Sequence, residues 1–177
     1  MNILLAVSLF TSVNMYFLKN SQDLLVRVIP PQGVYEIVLY YSFSGDDWHS
    51  RTLQSNEGMN FDAAITPPES LSMVGVYYTY YDANSVAVTD DNKGMLYLYE
   101  IKKSPRMLMP FSMDIIEPLL KQARKKITAQ KHVDEAIALL DYVDAILKVL
   151  PFKKGSELEI KKPILEAEAN ELRQLVK

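Results

Sequence analysis

VYEIVLYYSFSGDDWHSRTL, residues Val34 to Leu53, is the stretch that decides the fold. Its first ten residues alternate: Ile37, Leu39, Tyr41 and Phe43 fall on one side, Glu36, Val38, Tyr40 and Ser42 on the other. A period of two is that of a half-buried β-strand. Gly45-Asp46-Asp47 then supplies turn residues, and Trp48 to Leu53 reads as a short return strand.

The same grammar extends in both directions. Upstream, LLVRVI (Leu24 to Ile29) stops at Pro30-Pro31-Gln32-Gly33, a turn with a fixed φ and a hinge. Downstream, Asn56-Glu57-Gly58 turns the chain into MNFDAAI (Met59 to Ile65), closed by Pro67-Pro68. Val74 to Tyr81 is a long β-branched and aromatic run. A turn at Asp82-Ala83-Asn84-Ser85 leads to a short edge at Val86 to Val88, and Met95 to Ile101 follows the turn Asp90 to Gly94. About seven short strands separated by turn signals predict an antiparallel β-sandwich.

Three of these stretches carry a resemblance. VLYYSFSGDDW (Val38 to Trp48), EGMNFDAAITPP (Glu57 to Pro68) and VYYTYYDAN (Val76 to Asn84) follow one another as in the immunoglobulin-like or fibronectin-III-like modules of bacterial exported proteins. The likeness spans about Leu24 to Ile101 and implies the sandwich fold, not a ligand, because such sandwiches host unrelated roles. The chain departs from the pattern at Asn84-Ser85, where the turn glycine is missing.

After Pro110 the period changes from 2 to 3.6. Ser112 is placed to cap a helix with apolar positions Ile115, Ile116, Leu119, Leu120, Ala123 and Ile127, in which Pro118 is tolerable only in the first turn. A second helix is predicted from Val133 to Leu150, ended by Pro151; a third follows Gly155, with Ser156 and Glu159 in capping-box spacing. Pro163 is expected to kink or split it. Leu119 to Pro151 resembles a tetratricopeptide helical hairpin, notably in DEAI (Asp134 to Ile137) and the terminal proline. One such unit cannot bury its own apolar face, so the third helix or the sandwich must cover it. The expected class is therefore α+β: an N-terminal antiparallel immunoglobulin-like β-sandwich, then a C-terminal bundle of two to three helices.

Composition divides the chain at the same place. Residues 1–104 hold 6 Lys/Arg against 11 Asp/Glu, a net charge of −5, and 10 of the 11 tyrosines; residues 105–177 hold 13 against 11, a net charge of +2. We read residues 1–20 as an apolar N-terminal segment, 21–104 as the sandwich and 105–177 as a helical domain, with the boundary in KKSPRMLMP (Lys102 to Pro110). Asn2 to Leu18 carries no charge. It fits a signal or membrane anchor, a first element packed on the sandwich, or, being short for one, a spanning helix.

Chemistry is sparse. The 177 residues include no cysteine, two histidines and one tryptophan, which removes thiol nucleophiles, disulfides and the usual zinc ligand sets. A thiol-oxidoreductase reading fails for want of Cys-x-x-Cys. A net charge of −3 argues against binding phosphate backbones. His49 and His132 have no second imidazole at helical spacing. No motif places a Ser-His-Asp triad. Asp82, Asn84, Asp90, Asp91 and Asn92 form an oxygen-rich set that calcium could use, but these are also ordinary turn residues without EF-hand spacing. Arg124-Lys125-Lys126 with Lys121 and Lys131 reads as a solvated helix face or as a dock for an acidic partner. No catalytic residue, metal ligand or cofactor is expected.

The tyrosine excess is the stronger signal. If Ile37, Leu39 and Tyr41 face the core, then Tyr40 faces away, and Tyr77 and Tyr81 lie opposite Val76, Tyr78 and Tyr80. Tyr40, Tyr77, Tyr81 and Trp48 are the candidate partner-binding residues: an aromatic strip suited to protein contacts or to stacking on sugar rings, unless the helices cover it. The function expected is a non-catalytic interaction or scaffold protein, exported or an accessory subunit of a larger assembly; the alternative is a carbohydrate-binding module. A periplasmic or extracellular place, with membrane association through the N-terminal segment, is the matching expectation.

Overall fold

Alternation is kept wherever it was read. In the computed structural model, which describes residues 12–17, 22–55, 60–68, 73–101 and 110–176, the expected strands are β2 (Leu24–Ile29), β3 (Glu36–Ser42), β4 (His49–Gln54), β5 (Phe61–Ile65), β6 (Met73–Tyr81), β7 (Ala87–Asp90) and β8 (Tyr97–Glu100). Their ends differ from the sequence reading by a residue or two. The turn at Asn56 to Gly58 and most of the Lys102 to Pro110 boundary lie outside the described residues.

Two strands join these seven. β1 (Ser12–Phe17) pairs antiparallel with β2, so for this part of the apolar N-terminal segment the reading as a first element packed in the sandwich is the one that holds; β9 (Pro110–Phe111) pairs with β8. Residues 1–11 and 18–20 of that segment lie outside the described residues. Among the described residues no helix is long and apolar enough to cross a membrane.

One sheet has the order β1-β2-β5, the other β4-β3-β6-β8-β9, with β7 also on β6. The chain leaves the first sheet after β2, forms the β3–β4 hairpin in the second, returns as β5 and crosses again to β6. These crossovers make the sheets the two layers of an immunoglobulin-like sandwich. Val26, Val28, Phe61 and Ile65 from one sheet meet Ile37, Leu39, Val74, Val76 and Tyr78 from the other, all buried. The Tyr99 hydroxyl donates to the Val13 carbonyl and ties the sheets together where β1 and β8 approach. On the outer side of the first sheet, Arg27 grips Asp62 through two bonds of 2.8 and 2.7 Å.

The turn that lacks its glycine is solved locally. Ser85 itself adopts a left-handed φ of 60°. Asp82 Oδ1 accepts from the Asn84 and Val86 amides, both at 2.9 Å, and so fixes the loop without glycine.

Ser112 caps a short 3₁₀ turn, Met113–Ile115, that leads into α1 (Ile116–Thr128), and Pro118 falls in the first turn of α1 as required. α2 spans Val133–Val149 and α3 Glu157–Gln174. At the start of α3 the Ser156 hydroxyl accepts from the Glu159 amide, while the Glu159 carboxylate reaches back to the Gly155 amide at 2.5 Å. This is a capping box displaced by one residue. Pro163 does not split α3, which continues through it to Gln174. It is exposed in the second turn, where its missing N–H costs the helix the one bond to the Glu159 carbonyl.

The helical hairpin is covered from both sides. Leu120, Ala123 and Ile127 of α1, Ala136, Leu140, Val143 and Leu147 of α2, and Leu158, Leu165, Ala169 and Leu172 of α3 share one core with Met73 and Leu98 of the second sheet and with Leu96, just before β8. That sheet is thus a middle layer, packed on the first sheet by one face and on the helices by the other.

Candidate interaction surface on the outer sheet face

Alternation along β6 sends Met73, Gly75, Tyr77, Thr79 and Tyr81 to the helix side of the second sheet. On this face the registers Tyr40↔Tyr77 and Tyr40↔Ser50 make one row, Val38↔Thr79, Val38↔Thr52 and Thr79↔Thr89 the next, and Glu36↔Gln54 and Tyr81↔Ala87 flank the last. The four tyrosine and tryptophan candidates therefore do lie on one face. They do not share one environment.

Tyr40, Tyr77 and Trp48 form a joint. The Tyr40 and Tyr77 rings stack with centroids 4.6 Å apart, and Trp48 meets Tyr77 edge-on at 4.9 Å. The Trp48 indole N–H donates to the Phe152 carbonyl at 2.8 Å, and the Phe152 amide donates to the Gly45 carbonyl at 2.8 Å. Trp48 and Tyr77 both pack against the helical core. Burial, then the neighbouring Tyr40 and Asp91, raise the Tyr77 phenol above its ordinary range. Tyr81 stands apart: it is 60% exposed, two rows further along the sheet, roughly 13 Å of strand from Tyr77.

The joint has two further parts that sequence reading did not single out. Pro151 packs directly on the backbone of Gly75, where a Cβ would stand 2.8 Å from the proline Cβ. Lys153 Nζ lies 4.8 Å from the Tyr77 ring centroid and 3.0 Å from Asp91 Oδ2. The available signal was Gly75, the one glycine within the β6 run: a glycine inside a strand marks close approach of something else. Lys153 had none, since nothing local ties it to β6.

The oxygen-rich loops are occupied by their own donors. Asp90 accepts from the Tyr78 hydroxyl at 2.8 Å and the Tyr97 hydroxyl at 2.9 Å, and Asp91 accepts from the Gly94 amide and from Lys153. With Asp82 committed to its turn, these carboxylates serve loop geometry, and among the described residues no group of three acidic or imidazole side chains is placed to hold a metal ion. His49 is exposed against Tyr41, and His132 is exposed with Nδ1 3.1 Å from Glu135. Of the basic run, Arg124 pairs with Glu168 and Glu171 and Lys126 with Glu135.

Asp91 gives the joint a pH dependence. Burial works against its charge, but the Lys153 hydrogen bond and the Gly94 amide outweigh that and hold the carboxyl below its ordinary range. A depressed carboxyl contributes stability above its unfolded-state pKa and loses it as the pH falls through the lower, folded value. Asp91→Asn is therefore expected to cost about 1 kcal/mol at neutral pH. The deficit relative to the parent chain should shrink below about pH 4. Urea denaturation at several pH values checks this; a deficit that grows with acidity would contradict the assignment.

No protein-family model matches the chain, and no curated protein matches it in sequence.

Proposed function

We propose that this chain is a non-catalytic interaction or scaffold protein, exported or an accessory subunit of a larger assembly, and that its partner-facing surface is the uncovered end of the outer sheet face. The observation that carries this reading is the division of that face. Tyr77 and Trp48 pack on the helices with Tyr40 stacked on Tyr77, while Tyr81, Glu36, Gln54, Thr52 and Thr89 beyond them are exposed. Tyr35 and Val86, 66% and 56% exposed, lie at the same end of the strands. Tyrosine on a flat, polar sheet offers contact area with little rotamer entropy to lose, as protein interfaces favour. The second reading, a glycan platform, rests on the exposed Tyr81 ring and not on Trp48, whose indole is engaged by Phe152.

Tyr81→Glu and Thr52→Arg place charges on this end. Stoichiometric co-purification of a protein partner from the native source is expected to fall at least about tenfold in each, a loss of roughly 1.4 kcal/mol or more. Unfolding midpoints should stay near those of the parent, because both residues are exposed. Retardation by an immobilised polysaccharide, lost in Tyr81→Ala, would assign the surface to glycan instead. Turnover of any substrate that depends on His49 or Asp47 would overturn the non-catalytic reading.

A further inference from the structure

The segment that joins α2 to α3 is seated on the second sheet as a peptide is seated in a groove. Leu150, at φ −62° and ψ 117°, leaves α2 in the extended backbone that a following proline demands. Pro151 bridges to Gly45 in parallel β fashion and lies on the bare backbone of Gly75. Phe152 is held by its main chain: its amide donates to the Gly45 carbonyl and its carbonyl accepts from the Trp48 indole, both at 2.8 Å. Its ring turns towards α3, with Lys162 Nζ 5.2 Å from the centroid. Lys153 ends the segment with its ammonium over the Tyr77 ring and 3.0 Å from Asp91 Oδ2.

Extended peptides that carry proline dock in aromatic-lined grooves, where the fixed φ lowers the entropy lost on binding. A carboxylate beside an aromatic face selects a cation. The apolar core that the helices share with Met73 and Leu98 accounts for their packing on the sheet. It does not call for an indole, a carboxylate and a stacked tyrosine pair set around three residues of connecting chain. We propose that Tyr40, Trp48, Gly75, Tyr77 and Asp91 form a binding groove for an extended Pro-x-Lys segment of a partner protein, and that residues 151–153 occupy it in cis. The resident states the ligand's chemistry: a proline against a bare glycine, one residue with a free amide whose polar contacts are all main-chain, and a lysine. Tethered at both ends, it is present at high effective concentration, so in the parent chain an external ligand must displace it. The groove is separate from the Tyr81 end of the sheet and stands whether or not that end binds a partner.

Lys153→Glu in the full chain removes the resident's contacts with Tyr77 and Asp91 and sets a like charge beside the carboxylate. A capped peptide of residues 149–155, VLPFKKG, is expected to bind this variant at least about tenfold more tightly than it binds the parent, because the resident no longer competes. The single tryptophan reports it: Trp48 fluorescence should move to the blue and saturate. Peptides carrying Lys153→Glu, or Phe152→Pro, which has no amide to donate, should not bind, whereas Phe152→Ala should. Circular dichroism establishes that the variant is folded; Lys153→Ala, which deletes the same contacts without a repelled charge, carries the test if Lys153→Glu is not. A folded variant that ignores the peptide at millimolar concentration, equal affinity for parent and variant, or binding indifferent to Lys153→Glu in the peptide would each overturn the proposal. So would a parent chain that dimerises with rising concentration and is returned to monomer by the peptide, since the groove would then belong to the same segment of a second copy.

Discussion

Gly75→Val is expected to destabilise the chain by about 3 kcal/mol, with Gly75→Ala costing about 1–2 kcal/mol. Two effects oppose each other at this position. Replacing a strand glycine by a β-branched residue gains up to about 1 kcal/mol from lower chain entropy and better strand propensity. Against this, the first added carbon already stands 2.8 Å from Pro151 Cβ and 3.4 Å from Leu98 Cδ2. Neither neighbour can yield easily, since Pro151 is rigid and buried and Leu98 is part of the helical core. Overpacking wins, and valine adds two more methyls to the same gap. Because β6 pairs with β3 and β8 through this residue, the strain falls on the middle of the sheet or on the joint with the helices. The single tryptophan lies in that joint, so its fluorescence should move to the red in the folded variant if the helices lift away. Gly75→Val as stable as the parent chain would show that Pro151 does not rest on β6.

Trp48→Ala is expected to cost about 2–4 kcal/mol, somewhat less than a fully buried tryptophan because the side chain is half-buried. It removes the edge-on contact with Tyr77 and the packing against the helical core, and leaves the Phe152 carbonyl without its indole donor. Trp48→Phe separates these contributions: it keeps a ring and loses the hydrogen bond, for about 1 kcal/mol. Denaturation followed by far-ultraviolet circular dichroism is the appropriate measurement, as the variants have no tryptophan to report. If sheet and helices unfold in one transition in the parent chain and in two in Trp48→Ala, the joint couples the two cores. A cost below about 0.5 kcal/mol for Trp48→Ala, the range of ordinary surface changes, would return Trp48 to the free aromatic strip.

Much of this architecture could be read one segment at a time. The alternation of Ile37, Leu39 and Tyr41 against Tyr40 was enough to place both faces of β3, because a strand has only two faces and its neighbours must agree with it. Ser156 and Glu159 announced the start of α3 by a local hydrogen-bond pattern. The split expected at Pro163 does not occur, because one missing hydrogen bond on an exposed face does not outweigh the packing of Leu158, Leu165, Ala169 and Leu172 on either side of it. β1 was one of several readings of Asn2 to Leu18, because an uncharged apolar run suits a leader as well as a packed strand, and only pairing with β2 distinguishes them.

The candidate surface shows where sequence stops. Residues Tyr40, Trp48, Tyr77 and Tyr81 determine by their spacing that they share a sheet face, since side-chain direction follows from backbone period alone. Which of them is free was decided by Pro151, Phe152 and Lys153, about a hundred residues away from Trp48 in the chain. Those residues bring the helices down over Gly75 and stop short of Tyr81. Local periodicity settles which way a side chain points; the layer that covers it is a long-range contact, set by how far α1, α2 and α3 must spread to bury their own core against Met73, Leu96 and Leu98.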